Sequence, residues 1–174
     1  RDQLRARQLP AGVHVDLLEA ARPRAERSPK RQAQLAAYEA ALPEDDPLAG
    51  YREALAGGDA EEGRRLFLYK SETYCLRCHE VDDAGGKVGP TMDGIGSNYD
   101  REYLLESIVL PDKAIAEGYE TVVLFLLDGR TVSGVLRQEN EANVELMDAD
   151  GKRIVVPVED IDDRQKGQSA MPQE

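Results

Sequence analysis

Residues 73–81 read TYCLRCHEV. Both cysteines of the 174-residue chain, Cys75 and Cys78, lie in this stretch, and His79 follows the second directly. The one other histidine is His14, far away in sequence. Both cysteines and all but one of the histidines are thus concentrated in five consecutive positions, 75–79. What this cluster is for decides how the rest of the chain is read.

Three chemistries use paired cysteines at this spacing. Structural zinc takes four ligands, usually as two pairs, and the chain has no second pair. Thiol–disulfide exchange places Cys-x-x-Cys at the start of a helix that follows a strand. Here the preceding segment has helical composition, and exchange leaves His79 without a task. A Cys75–Cys78 bridge would also close too small a ring to act as a staple. Covalent haem attachment employs all three residues. Cys75 and Cys78 form thioethers with the two porphyrin vinyl groups, and His79 becomes an axial ligand of the iron. The motif is therefore read as the site of one covalently attached haem c.

The neighbouring sequence suits such a group. GDAEEGRRLFLYK (58–70) is helical, with Asp59 and Glu62 as a capping-box variant and Leu66 and Phe67 leading into the motif. Residues 82–98 are rich in Gly, Asp and Asn and read as an irregular loop. A histidine ligand needs its outer ring nitrogen held by an acceptor, and Gly89 and Pro90 are the candidates, through a backbone carbonyl. YDREYLLESIVLP (99–111) reads as a helix with Leu104, Leu105, Ile108 and Val109 on one face. Tyr99 and Arg101 are candidates for holding haem propionates.

After Gly118 the period changes. Residues 119–163 read as a meander of four strands that could close into a small barrel, with DG turns at 128–129 and 150–151. Val122 to Phe125 are apolar throughout, so the first strand is expected to be buried on both faces. Pro157 belongs at an edge or a bulge. DDRQKGQSAMPQE (162–174) is polar and reads as loop. No nucleophile–base pair or phosphate loop appears in the β segment. It is read as a lid or spacer, or as a docking surface for a partner domain.

Residues 1–42 look helical and are punctuated by Pro10, Pro23, Pro29 and Pro43. PEDDPLAG (43–50) is a break. His14 reads as a surface or boundary residue without a ligand role. The formal charge is −12 and uneven: residues 1–32 carry eight Lys or Arg and four Asp or Glu, a local +4, which leaves −16 for the rest. The acidic remainder argues against nucleic-acid binding, which needs a basic footprint. No apolar run reaches the length of a membrane span. The chain opens at Arg1 and reads as a mature or excised piece.

GDAEEGRRLF, CLRCHEV and GGKVGPTMDGIG together resemble class I c-type cytochromes. With the segments YDREYLLESIVLPDKAIAEGYETVVLFLLDGRTVSGVL and DGKRIVVPVEDIDDRQKGQSAMP added, the chain is similar to the C-terminal haem-binding domain of large planctomycete–verrucomicrobial membrane-bound dehydrogenases. The resemblance covers roughly residues 47–172. It implies a mainly α cytochrome c fold (47–118 plus 164–174) interrupted by a small inserted antiparallel β domain (119–163). Before it would lie a helical segment (1–46), the end of a helical-repeat region. One departure stands out: the chain stops three residues after Met171, short of the closing helix of class I cytochromes.

The resemblance implies an electron-transfer module rather than an enzyme. It would accept electrons from a fused or partner dehydrogenase and pass them to another redox carrier, in the periplasm or another extracytoplasmic space. It also places the distal iron ligand at Met171, in GQSAMPQE. Met92 lies only thirteen residues after His79, on the side that supports the proximal face, and Met147 falls in a strand. The alternative is a haem enzyme or gas sensor with an open, peroxidase-like distal site.

Overall fold

The computed structural model describes residues 9–173. Residues 1–8 of the expected N-terminal helical segment, and Glu174 of the expected haem domain, lie outside the described residues. The chain divides into two units, Arg1–Arg64 and Arg65–Glu174.

In the first unit, helices α1 (His14–Ala25) and α2 (Pro29–Glu39) are joined by a tight turn, with a 3₁₀ turn at Arg52–Leu55. Pro29 opens α2, where its missing N–H costs nothing. Pro23, expected to punctuate, instead lies inside the last turn of α1. Leu18, Ala25, Leu48 and Ala49 are buried. His14, expected at the surface or a boundary, is only 5% exposed. Its Nδ1 lies 2.6 Å from a Glu53 carboxylate oxygen and its Nε2 lies 3.0 Å from the Leu9 carbonyl. Tyr38 donates its hydroxyl to the other Glu53 oxygen at 3.1 Å.

Helix α3 (Ala60–Tyr69), within which the division falls, is capped by Asp59, whose carboxylate accepts from the Glu61 and Glu62 amides. The second unit continues with α4 (Cys75–Cys78) and a two-stranded ribbon, β1 (Glu80–Val81) and β2 (Ala84–Gly85). Helices α5 (Ile95–Asn98) and α6 (Arg101–Val109) follow, the latter capped by the Asp100 carboxylate on the Tyr103 amide at 2.8 Å. Five strands complete it: β3 (Thr121–Leu126), β4 (Thr131–Glu139), β5 (Asn143–Met147), β6 (Arg153–Pro157) and β7 (Ile161–Lys166).

The expected mainly α fold with a barrel-like insert is not what forms. The described residues make six α-helices, a five-stranded antiparallel sheet and the small ribbon, a mixed α and β architecture in which no barrel closes. The reason is where apolar side chains are buried. The core of the second unit is Val122, Leu124, Leu126, Val144, Leu146 and Val156, all on sheet strands. None of α3, α4, α5 and α6 buries a residue completely. Ile108, expected on the packed face of α6, is 62% exposed.

The sheet order is β6-β5-β4-β3-β7, so β6 and β7 are free edges, and closure would need them to pair. Four strands and a polar loop were expected over this region. Instead IDDRQK is a fifth strand, paired with β3 from Val122–Lys166 to Leu126–Ile161. Backbone pairing makes this strand, since every residue after Ile161 in it is exposed. Strand β3 also alternates: Val122, Leu124 and Leu126 are buried and the residues between them half-buried, so it is not covered equally on both faces. The β3–β4 and β5–β6 turns place Gly129 and Gly151 at φ +84° and +76°, the left-handed position that ends a three-residue hairpin loop. Pro157 ends the edge strand β6, where it removes no ladder bond.

Candidate functional site

The Cys-x-x-Cys-His segment is a single helical turn held from behind. Tyr74 enters it in the left-handed conformation, φ +51°, which is uncommon for a bulky residue. The His79 amide donates to the Cys75 carbonyl at 2.9 Å and closes the turn. His79 itself is extended, so its side chain leaves the helical path. Both thiols are free and half-buried, one helical turn apart.

The ribbon then folds back against this turn. Asp82 and Asp83 have φ of +50° and +61° and make a two-residue turn with both central residues left-handed. The expected irregular loop thus begins as a hairpin. Its return strand can approach because it carries glycine. A β-carbon on Gly85 would lie 2.2 Å from the His79 carbonyl oxygen, and one on Gly86 would lie 1.9 Å from that of Arg77. The amides of Gly86 and Gly89 donate to the carbonyls of Leu76 and Cys78 at 2.9 and 2.7 Å. The Met92 amide donates to the Glu80 carbonyl at 2.8 Å.

These contacts place the His79 ring. Its Nδ1 lies 2.8 Å from the carbonyl oxygen of Pro90. A carbonyl can only accept, so Nδ1 carries the proton. Nε2 has no hydrogen-bond partner among the described residues. The ring packs on Gly89, whose absent side chain leaves room for it.

Charge at the turn comes from Arg77, which pairs with Asp150 at the β5–β6 turn. Its guanidinium also lies 5.9 Å from the Tyr74 ring centroid. Burial pushes the Cys78 thiol up; Arg77 partly opposes this and Cys75 adds to it. Exchange dithiols show the reverse shift. Among the described residues no three His, Cys, Asp or Glu side chains gather as a metal-ion site.

Around the turn, apolar surface is left without a protein partner. Leu66 is 42% and Tyr74 62% exposed, and Tyr69 is more exposed still. An open depression of about 200 Å³ is lined by Phe67, Leu68, Tyr69, Tyr74, Cys75 and Leu76, together with Lys70, Ser71 and Arg77. Tyr99 stacks on Tyr103, centroids 4.4 Å apart, and Arg101 is exposed on the first turn of α6. Met171 is half-buried, and its amide donates to the Ser169 hydroxyl at 3.2 Å. The Ser169 amide in turn donates to Asp112 at 2.5 Å, just after α6.

The structure therefore gathers Cys75, Cys78, His79, Gly89 and Pro90 into one local assembly. Tyr99 lies between α5 and α6, Arg101 lies in the first turn of α6, and Met171 is linked through Ser169 to Asp112, beyond α6. Sequence reading missed Gly85, Gly86, Asp150 and Asp112. The Gly85–Gly86 doublet was the one signal for close backbone approach. The donor set fits a covalently held haem: two free thiols on one turn, a histidine with its outer nitrogen fixed and its inner one open, and bare apolar surface beside them. No protein-family model matches the chain, and no curated protein matches it.

Proposed function

We propose that the second unit is a c-type haem electron-transfer module. The observation that carries this reading is the His79 ring, held by Pro90 through Nδ1 with Nε2 open, immediately after two free thiols on one turn. Cys75 and Cys78 would carry the thioethers, and His79 would ligate the iron. Gly89 and Pro90 fix the ring that does so. The exposed apolar side chains of α3 and of the turn before Cys75 would cover the porphyrin and exclude water. When bound, the group supplies a one-electron carrier.

Met171 is the proposed second axial ligand. Its thioether is soft and neutral, and would favour the reduced metal. Met147 is committed elsewhere, with its sulfur 3.7 Å from the Arg137 guanidinium in the sheet. The electron donor would be a fused or partner dehydrogenase domain and the acceptor another redox carrier. Thioether attachment in bacteria is completed outside the cytoplasm, so an extracytoplasmic location goes with the proposal. No helix among the described residues is long and apolar enough to cross a membrane.

The test is co-expression with a cytochrome c maturation system, followed by denaturing electrophoresis with haem staining. Colour should remain on the chain and disappear in a Cys75→Ala, Cys78→Ala double variant. Colour that washes out with acidified organic solvent would overturn the reading. Carbon monoxide binding separates the two haem functions: a saturated iron leaves the reduced spectrum unchanged, whereas stoichiometric binding would mark an open, enzyme-like or gas-sensing site.

A further inference from the structure

Arg137 of β4 joins the sheet to the loop that seats His79. Pairing of β4 with β5 passes from Leu136–Leu146 directly to Gln138–Glu145, so Arg137 is the extra residue of a β-bulge. A bulge breaks the ladder and re-aims a side chain. Here it sends the guanidinium out to the loop before Pro90. Nη2 donates to the carbonyls of Lys87 and Val88, the latter at 3.2 Å, and Nη1 donates to that of Gly118 at 3.4 Å. The guanidinium also lies over the Tyr119 ring, 4.9 Å from its centroid.

Two further features mark this as a built contact. Nε of Arg137 is buried without a partner among the described residues, a cost that a merely solvating arginine would not carry. Val88, whose carbonyl is gripped, is only 2% exposed. A β-carbon on Gly151 of the β5–β6 turn would stand 3.8 Å from its Cγ2. The same turn supplies Asp150 to Arg77. The sheet thus holds both sides of the Cys-His turn.

We infer that Arg137 is a positioning residue for His79: its fork fixes the carbonyls of Lys87 and Val88, and so the Gly89–Pro90 backbone that seats the imidazole ring. The functional meaning rests on the reading of His79 as an iron ligand; the mechanical link does not. The inserted sheet then acts as a brace for the proximal ligand, neither a spacer nor primarily a docking surface. A lysine cannot replace the arginine fully, because one ammonium lacks the planar fork that spans several carbonyls.

The test compares Arg137→Met and Arg137→Lys with the parent, using the full chain as purified, with or without haem. The readout is amide hydrogen exchange at Gly89 and Met92, with amides of β3 and β5 as controls. Arg137→Met should speed exchange at Gly89 about tenfold or more while the controls hold, as expected for local opening. Arg137→Lys should give a smaller increase. In haem-loaded protein the same order should appear in the displacement of the reduction potential. Unchanged exchange at Gly89, or uniform acceleration through the sheet, overturns the inference. If Arg137→Met does not fold, Arg137→Lys decides on the same terms. Haem staining of the same samples tests the cofactor reading separately, since a colourless parent would sink that reading and leave the exchange result standing.

Discussion

The His79 ring occupies the space that a side chain on Gly89 would need: a β-carbon there would lie 2.7 Å from Cε1, 2.9 Å from Nδ1 and 3.1 Å from Nε2. Ring and backbone are in contact, so this position tolerates no growth. Gly89→Ala is expected to push the imidazole off the Pro90 carbonyl and cost about 1–3 kcal/mol, the usual range for overpacking. Urea denaturation measures the cost, and the yield of covalently coloured protein measures the displacement. An alanine variant with parental stability and yield would show that the ring has room to move.

The three methionines give a second experiment. If the chain carries haem with Met171 as its second axial ligand, as proposed, Met171→Ala should abolish a weak far-red sulfur-to-iron band of the oxidised protein, lower the potential and admit carbon monoxide on reduction. Met92→Ala and Met147→Ala should leave these spectra alone. Band and potential surviving in Met171→Ala would move the sixth ligand to another group.

The His14–Glu53–Tyr38 network, built around the buried His14, predicts a stability effect confined to the first unit. His14→Ala removes the ring that bridges the Glu53 carboxylate and the Leu9 carbonyl and should destabilise by about 1–3 kcal/mol. Tyr38→Phe should cost less, about 1 kcal/mol, since it removes one partner and no charge. Chemical denaturation followed by amide exchange in residues 14–39 is the check, and equal losses in the sheet would show that the network is not local.

Leu146 is fully buried between Leu136 and Ile154 in the sheet ladder. Leu146→Ala should cost about 2–5 kcal/mol. Because the sheet carries the core of the second unit, this loss should exceed that from Leu105→Ala on α6, which is only half-buried. Thermal unfolding of the two variants would reveal the opposite order if the helices carried the core.

Asp128 gives a pH dependence of known sign. The Arg130 amide and then its guanidinium hold the carboxyl below the ordinary carboxylate range. A group with a depressed folded value contributes stability above its unfolded value and loses it as pH falls through the folded one. Stability of Asp128→Asn should therefore fall less steeply than that of the parent on acidification below about pH 4, the unfolded aspartate value. Parallel curves for the two proteins would show that the turn is silent.

Much of the site was legible because its chemistry is local. Cys75, Cys78 and His79 announce themselves by type and spacing, and the need for an acceptor behind His79 leads to the Gly89–Pro90 segment. The capping residue Asp59 was readable for the same reason. What stayed hidden depends on distance in sequence. Arg137 meets the loop across fifty residues and Asp150 meets Arg77 across seventy-three, and neither pairing leaves a periodic trace. The fold class failed on a related point. Helical composition around the motif suggested a helical core, whereas α3 to α6 bury nothing completely and the sheet holds the apolar cluster. The Asp82–Asp83 hairpin was missed because the usual turn signal there would be Asn-Gly or Asp-Gly.

Strand β7 was invisible in sequence because IDDRQK carries Asp162, Asp163, Arg164 and Lys166 in six residues. Those charges now lie along an open sheet edge. An edge of unpaired amides and carbonyls is a template for another chain, and charged side chains make a second strand costly to add there. At the opposite edge Pro157 withholds an N–H from the end of β6. The residues that disguise the last strand as a loop thus also protect the protein against aggregation, so the open sheet can persist in a crowded compartment without closing on itself or on its neighbours.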